Sequence, residues 1–378
     1  MNIALVHDWL NQLGGAEDVL STLNRMFPRA PIFTSIYDRQ RMPAAWRRWD
    51  IRSTWMDRLP GVHRHHQPYM PLFAWVWARY RIPAGHDVIL SNKSAFCIGA
   101  RGSHATARHI CYCLTPTRFT YEFEAYAQRE RIPPGASAIL RALNVYLRRW
   151  ETQAAQQVTA LIAISREVQQ RIRKHYGRDS VIIHPPVEMP PYPPVHQDQG
   201  FYLIASRLLP YKRVDLAIEA FGQLGWPLVI AGDGRDRPRL ERLASRQPRA
   251  KIKLLGRVDD ATLHALLAGC RAFIFPGVED FGIAPIRAMA YGKPVIACAA
   301  GGALDTVIEG VTGTLFRPQT PEALAEAVLK SSGVTFAPIE IRRHAEQFSV
   351  ERFERQLSEL LSGLGATDFG DRRSQAGD

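Results

Sequence analysis

Apolar positions fall in short runs separated by helix-like stretches, and the alternation is clearest in the second half of the chain. Residues 201–205, 227–231, 252–255, 272–275 and 294–297 each read as a strand of four or five mostly apolar residues. Between them, residues 214–222, 238–245, 260–268 and 283–291 carry apolar side chains at helical spacing. Strand, helix, strand in this order predicts stacked βαβ units with a parallel sheet, an architecture that binds ligands at the carboxyl ends of its strands. The first half repeats the theme less regularly. Strands are predicted at 3–6, 88–91, 109–113 and 160–164, and Gly14-Gly15 opens a helix that runs to about Phe27. Pro185, Pro186, Pro190, Pro191, Pro193 and Pro194 fit neither a central strand nor a helix, so they mark the linker. The domains expected are 1–190 and 198–345, then a terminal helix over 346–364 and a disordered polar tail over 365–378.

With 378 residues, 46% of them hydrophobic and 22% charged, each half can bury a core of its own. No apolar run reaches the length of a membrane span. The opening run has no basic flank and reads as a buried strand rather than a signal peptide. Five scattered cysteines make no disulfide framework, and Cys111 and Cys113 are expected to be buried strand residues. A reducing cytoplasm fits that usage.

Charge is unevenly placed. Residues 1–195 hold 25 Lys and Arg against 14 Asp and Glu, a balance of +11, out of +12 for the whole chain. A basic half points to an anionic surface or a phosphate-bearing acceptor, or to an Arg-rich composition with no partner behind it. The cations are dispersed and no recognition motif accompanies them, so nucleic acid is not an expected partner. Residues 63–81 mix Arg64, Tyr69, Phe73, Trp75, Trp77, Arg79 and Tyr80. Two readings stay open there: contact with an anionic membrane or lipid-linked acceptor, and an ordinary helix with its aromatics turned inward.

Four segments carry candidate chemistry. Ser206–Arg213 follows a predicted strand, and its Arg207 and Lys212 can neutralise a leaving diphosphate. Pro276–Pro285 joins a strand to a helix: the N–H groups of Gly282 and Ile283 at the helix start can hold phosphate, and Glu279 can accept hydrogen bonds from sugar hydroxyls. Gly14-Gly15 permits close approach of a ligand but lacks the full dinucleotide fingerprint. Gly301-Gly302 reads equally as a ligand-facing turn or a tight turn with a cap.

Together with His7-Asp8-Trp9, the stretch from Tyr176 to Val187, Ala231–Gly234, Leu255–Val258 and Gly301–Gly313, these segments resemble the family-4 retaining glycosyltransferases, and among them mannosyltransferases of bacterial surface polysaccharides. The resemblance covers about residues 1–360. It implies a GT-B α/β fold, two Rossmann-like domains facing each other across a cleft. The first would hold an acceptor, here a lipid-linked saccharide, and the second a nucleotide sugar, here GDP-mannose. It implies catalytic roles for Arg207, Lys212 and Glu279. Donor contacts would come from Gly14, Gly15, the Gly256-Arg257-Val258 segment, Asp280, Phe281, Gly282, Ile283 and position 287. It calls for no metal and no cofactor, and it places the protein in the cytoplasm, peripheral on the inner face of the cytoplasmic membrane. The segment 348–361 resembles a terminal helix that crosses back onto the first domain.

Two positions depart from the family. A second Glu is expected eight residues after Glu279 to bind ribose hydroxyls, and Arg287 stands there, with no acceptor to offer. A His expected in the turn after residues 109–113 is replaced by Leu114. A catalytically weakened protein that binds sugar nucleotide or glycan is therefore the alternative. A sugar-nucleotide epimerase on the same scaffold matches Arg207, Lys212 and Glu279 less well.

Overall fold

A computed structural model describes residues 1–104, 106–123, 134–191 and 198–374; of the side chains at 134–139 and 365–374 nothing is said. Pro193 and Pro194 of the linker lie outside the described residues. The chain divides into two units, Met1–His184 and Pro185–Asp378.

The first unit holds a seven-stranded parallel sheet. Its strands are β1 (Ile3–His7), β2 (Ile32–Thr34), β3 (Ile51–Ser53), β5 (Val88–Lys93), β7 (Arg108–Cys113), β8 (Ala160–Ala163) and β9 (Val181–Ile182), and their order is β3-β2-β1-β5-β7-β8-β9. A separate two-stranded pair joins β4 (Arg81–Ile82) to β6 (Arg101–Gly102). The second unit holds a six-stranded parallel sheet of β10 (Tyr202–Ala205), β11 (Leu228–Ala231), β12 (Ile252–Gly256), β13 (Ala272–Phe275), β14 (Val295–Cys298) and β15 (Gly313–Phe316), ordered β12-β11-β10-β13-β14-β15. Strands such as β1, β13 and β14 are buried at every position, as expected of a parallel sheet covered on both faces. Cys111 and Cys113 are buried on β7, and all five cysteines are free.

Helix ends follow local chemistry. Ser165 caps the helix Arg166–Tyr176 by accepting from the Val168 N–H, and Gly177 ends it in the left-handed region. Val187 donates its N–H to Phe348, and the Pro190 carbonyl accepts from Arg342. These bonds draw residues 185–190 into the second unit, so the division falls at residue 184 and not at the expected 190. The last helix runs Val350–Ser374, ten residues into the stretch read as a polar tail. Its late glycines weaken a helix without ending it, and no proline follows. Residues 375–378 lie outside the described residues. No helix among the described residues is long and apolar enough to cross a membrane.

In each sheet the strand order reverses once, between β1 and β5 in the first and between β10 and β13 in the second. The carboxyl ends of those strands are the natural ligand crevices. In the first unit a carboxylate occupies that position. Asp8, just past β1 and 1% exposed, accepts from the backbone N–H groups of Ser94, Ala95, Phe96 and Cys97 at 2.6–2.7 Å and from the Ser94 hydroxyl at 3.1 Å. The chain after β5 is thus wound around one anion. Beside it, Lys93 is fully buried and donates to Glu151 at 2.7 Å, to Tyr176 at 2.9 Å and to the Thr115 carbonyl at 2.8 Å. Burial penalises its charge, but the Glu151 carboxylate together with the neighbouring Cys113 and Cys111 sulfurs outweighs that, and the ammonium pKa stands above its ordinary value.

Removing the Asp8 carboxylate leaves four buried N–H groups without their acceptor. Asp8→Ala is expected to cost about 3–5 kcal/mol. Seven of the eight tryptophans lie in the first unit, so the tryptophan fluorescence midpoint in urea reads that unit directly. A midpoint within error of the wild type would mean that the amides find other partners.

Candidate functional site

The second unit's crevice is built by two loops that start side by side. β10 and β13 are neighbours in register, with Tyr202 opposite Ala272 and Leu203 opposite Phe273. The loop 206–213 therefore leaves one strand next to the point where the loop 276–282 leaves the other. Lys212 and Glu279 close the gap through a direct contact of the ammonium with carboxylate Oε1, both side chains being mostly buried. The Lys212 ammonium also lies 5.3 Å from the Tyr211 ring centroid.

Close approach of the two backbones requires Gly277. A Cβ there would stand 2.9 Å from the Lys212 Cα, nearer than real side chains come. Arg213, directly after Lys212, has φ 52 and is the only non-glycine residue with positive φ among the described residues. This costly conformation turns the chain from the loop into the helix Val214–Leu224 and fixes where Lys212 leaves the backbone.

The second loop ends at the helix Ile283–Ala290. Gly282 offers no side-chain cap, so the first-turn N–H groups of Ile283 and Ala284 have no intrahelical acceptor. Those donors and the helix dipole favour an anion. Phe281 is 2% exposed and packs against Phe348 with ring centroids 5.7 Å apart, so its side chain anchors the loop. The Gly301-Gly302 turn supports the same loop from behind: the Gly302 N–H donates to the Glu279 carbonyl at 2.8 Å, and a Cβ on Gly302 would fall 2.2 Å from the Phe281 Cα. The turn thus supports the loop through backbone contacts. Gln319 adds a bond from Nε2 to the Pro276 carbonyl at 2.8 Å.

The expected residues are gathered unevenly. Lys212 and Glu279 meet, with Asp280, Gly282 and Ile283 on the same loop. Arg207 is exposed at the start of the first loop. Gly256 ends β12 and accepts from the Gly232 N–H at 2.7 Å. Arg257 and Val258 follow at the same end of the sheet, two strand spacings or about 10 Å from β10. Arg287 is half-buried one turn into the helix Ile283–Ala290, four residues past Ile283 and so on the same face. Gly14 and Gly15 begin a helix of the first unit. Leu114 follows β7 there, half-buried, with its N–H on the Lys93 carbonyl at 2.8 Å. Arg213, Gly277, Gln319 and the supporting role of Gly302 were not read from the sequence. Of these, only the glycines carried a signal.

The aromatic segment of the first unit divides along its helix Met70–Arg79. Phe73, Val76 and Trp77 are buried, which satisfies the inward reading for them. Trp75 is 43% exposed, lies under the Arg79 guanidinium at 4.4 Å and meets the edge of the exposed Trp55 at 6.2 Å.

Lys212, Arg207 and a helix start can hold a diphosphate, while Glu279 beside them can take hydroxyl hydrogen bonds. Residues 191–332 match the family model described as glycosyl transferases group 1. An uncharacterized glycosyltransferase of Methanocaldococcus jannaschii is 31% identical over 134 residues, 35% of this chain and 38% of that one. The glycogen synthase of Pseudomonas aeruginosa is 33% identical over 145 residues, 36% of this chain and 28% of that one. The matches thus span about a third of these relatives' length. Over nearly the whole chain, the structure of the Anabaena HepE protein in complex with UDP superposes with a TM-score of 0.69 at 20% identity, covering 96% of this chain and 100% of that one.

Gly302→Ala tests how tightly the turn backs the Glu279 loop. Its methyl collides with backbone, so the thermal transition of the second unit is expected to fall by roughly 5 °C or more. An unmoved transition would show that the loop has slack. Two parallel sheets, two reversal points and the crevice of the second sheet place the chain in the GT-B fold, and residues 191–332 are similar to the group 1 glycosyl transferases.

Proposed function

We propose that the protein is a retaining, metal-independent glycosyltransferase that moves a hexose from a nucleotide sugar to a lipid-linked saccharide acceptor. The observation that carries the reading is the Lys212–Glu279 contact across the loops at the β10–β13 reversal. A sugar diphosphate there would set its diphosphate against Arg207, Lys212 and the N–H groups at Ile283, and its sugar hydroxyls against Glu279. As the C1–oxygen bond to phosphate breaks, the cations stabilise the charge that develops on the leaving group. The acceptor oxygen forms the new bond on the face just vacated, and its proton passes to the departing phosphate oxygen. No pair of catalytic carboxylates is needed.

In finer detail, the resemblance to family-4 enzymes of surface polysaccharide synthesis favours mannose from GDP-mannose. The basic first half and the Trp55–Trp75–Arg79 patch favour a peripheral place on the inner face of the cytoplasmic membrane. A second reading keeps sugar-nucleotide or glycan binding and loses turnover, because Arg287 and Leu114 stand where hydrogen-bonding residues are expected.

Calorimetric titration with GDP-mannose, GDP, UDP-glucose and UDP separates the two. Selective binding of GDP-mannose, with transfer to a polyprenyl-linked saccharide, is the expected result. Binding without transfer or donor hydrolysis would establish the second reading, and no binding at all would overturn both. Lys212→Ala is expected to lower kcat/KM about 100-fold or more, close to 3 kcal/mol of lost leaving-group stabilisation. A change below threefold would remove Lys212 from the mechanism.

Membrane contact has its own test. Trp55→Ser with Trp75→Ser is expected to weaken sedimentation with anionic vesicles at least tenfold while the melting temperature holds, since both side chains are exposed. Trp77 is unsuited to that test because it is fully buried. Unchanged sedimentation would leave the patch without a membrane role.

A further inference from the structure

The crevice described above uses only the carboxyl ends of the second sheet. At the opposite ends, where β10, β13 and β14 begin, lies a cavity of about 370 Å³. β10 is four residues long, so the cavity sits about 13 Å or more from the loop 206–213. It is a separate place in the same unit.

Its lining has a marked chemistry. Lys293 is only 5% exposed, a position that carries a cost for an ammonium. Burial draws its pKa down, and Cys270 and Asp198 oppose that shift. Arg271 lines the same cavity and is held by Asp198 at 2.8 Å. The thiol of Cys270 is pushed up to about 12 by burial and brings no charge. Lys293, Arg271 and Asp198 therefore sum to +1.

Tyr202 lines the cavity beside these two cations. Its ring is fixed between Phe221, at 5.0 Å, and Trp226, stacked at 5.8 Å. Its hydroxyl is buried and lies beside the Arg271 guanidinium, which can donate to its oxygen. In a ring that cannot swing away, the O–H itself stays available to a further acceptor. The Ser331 hydroxyl adds a polar wall, and Phe336 an apolar one.

We propose that this cavity binds a small phosphate monoester bearing hydroxyl groups. Three donor groups, on Arg271, Lys293 and Tyr202, suit the three terminal oxygens of a phosphate better than the two of a carboxylate. The volume lies at the lower end for small-molecule sites and admits a ligand of few carbons. Ser331 serves the hydroxyls. The site does not depend on the transfer reading, since it shares no residue with the crevice.

The test is calorimetric titration of the full chain with glycerol 3-phosphate, and with glycerol as the uncharged control. Glycerol 3-phosphate is expected to bind one to one and glycerol not to bind. Lys293→Met is expected to weaken binding at least tenfold, and Tyr202→Phe, which removes one neutral hydrogen bond and keeps the ring, about fivefold. Lys212→Ala, in the other crevice, is expected to leave the affinity unchanged. Should Lys293→Met fail to fold, Tyr202→Phe decides by itself. Absence of binding, equal binding of glycerol, an affinity insensitive to the cavity variants, or loss in Lys212→Ala would each overturn the proposal.

Discussion

The pairing of β10 with β13 is the constraint on which the second unit's chemistry rests. Both strands run the same way and stand next to each other although 67 residues separate Lys212 from Glu279. Parallel register brings their carboxyl ends level, so a cation on one loop and a carboxylate on the other meet without either loop having to reach. Gly277 then permits contact of backbone with backbone, and Gly302 fixes the rear of the Glu279 loop. A side chain at either glycine would part the loops before it changed any charge.

The first sheet has the same reversal and uses it differently. Where the second unit keeps the exposed Arg207, a Lys212–Glu279 pair and a helix start without a side-chain cap, the first fills its β1–β5 crevice with Asp8 and the amides wound around it. Beside that anion sits Lys93 with Glu151, an ion pair removed from water altogether. A pair of this kind adds little net stability over apolar packing, but losing either partner strands a buried charge. One topology thus yields an internally satisfied polar centre in one unit and a crevice with unused hydrogen-bonding capacity in the other.

Much of the second unit was legible because its signals are local. Apolar runs such as 228–231 and 272–275 are continuous, the intervening helices hold their period, and loop residues such as Lys212 and Glu279 directly follow strands. β2, β3 and β9 went unread: they have two or three residues each, too few to show a period. Arg213 was invisible for another reason, since nothing in an arginine announces a positive φ. The direction of the Phe281 side chain was not legible either, because a motif gives the position of a side chain but not its direction, and here it turns to Phe348. The domain division was displaced by six residues because the bonds of Val187 and Pro190 reach to Phe348 and Arg342, far along the chain.

The Asp8 clamp also sets an order of events in synthesis. Its acceptor lies 86 to 89 residues before its donors, so the ring of hydrogen bonds cannot close until Cys97 has left the ribosome. Closing so long a loop carries a large entropic penalty, which the nascent chain meets only when β5 arrives to dock against β1. Until then the Asp8 carboxylate stays in water. β1 is therefore locked only once β5 has been made, and a translational pause after residue 97 would help it more than one before.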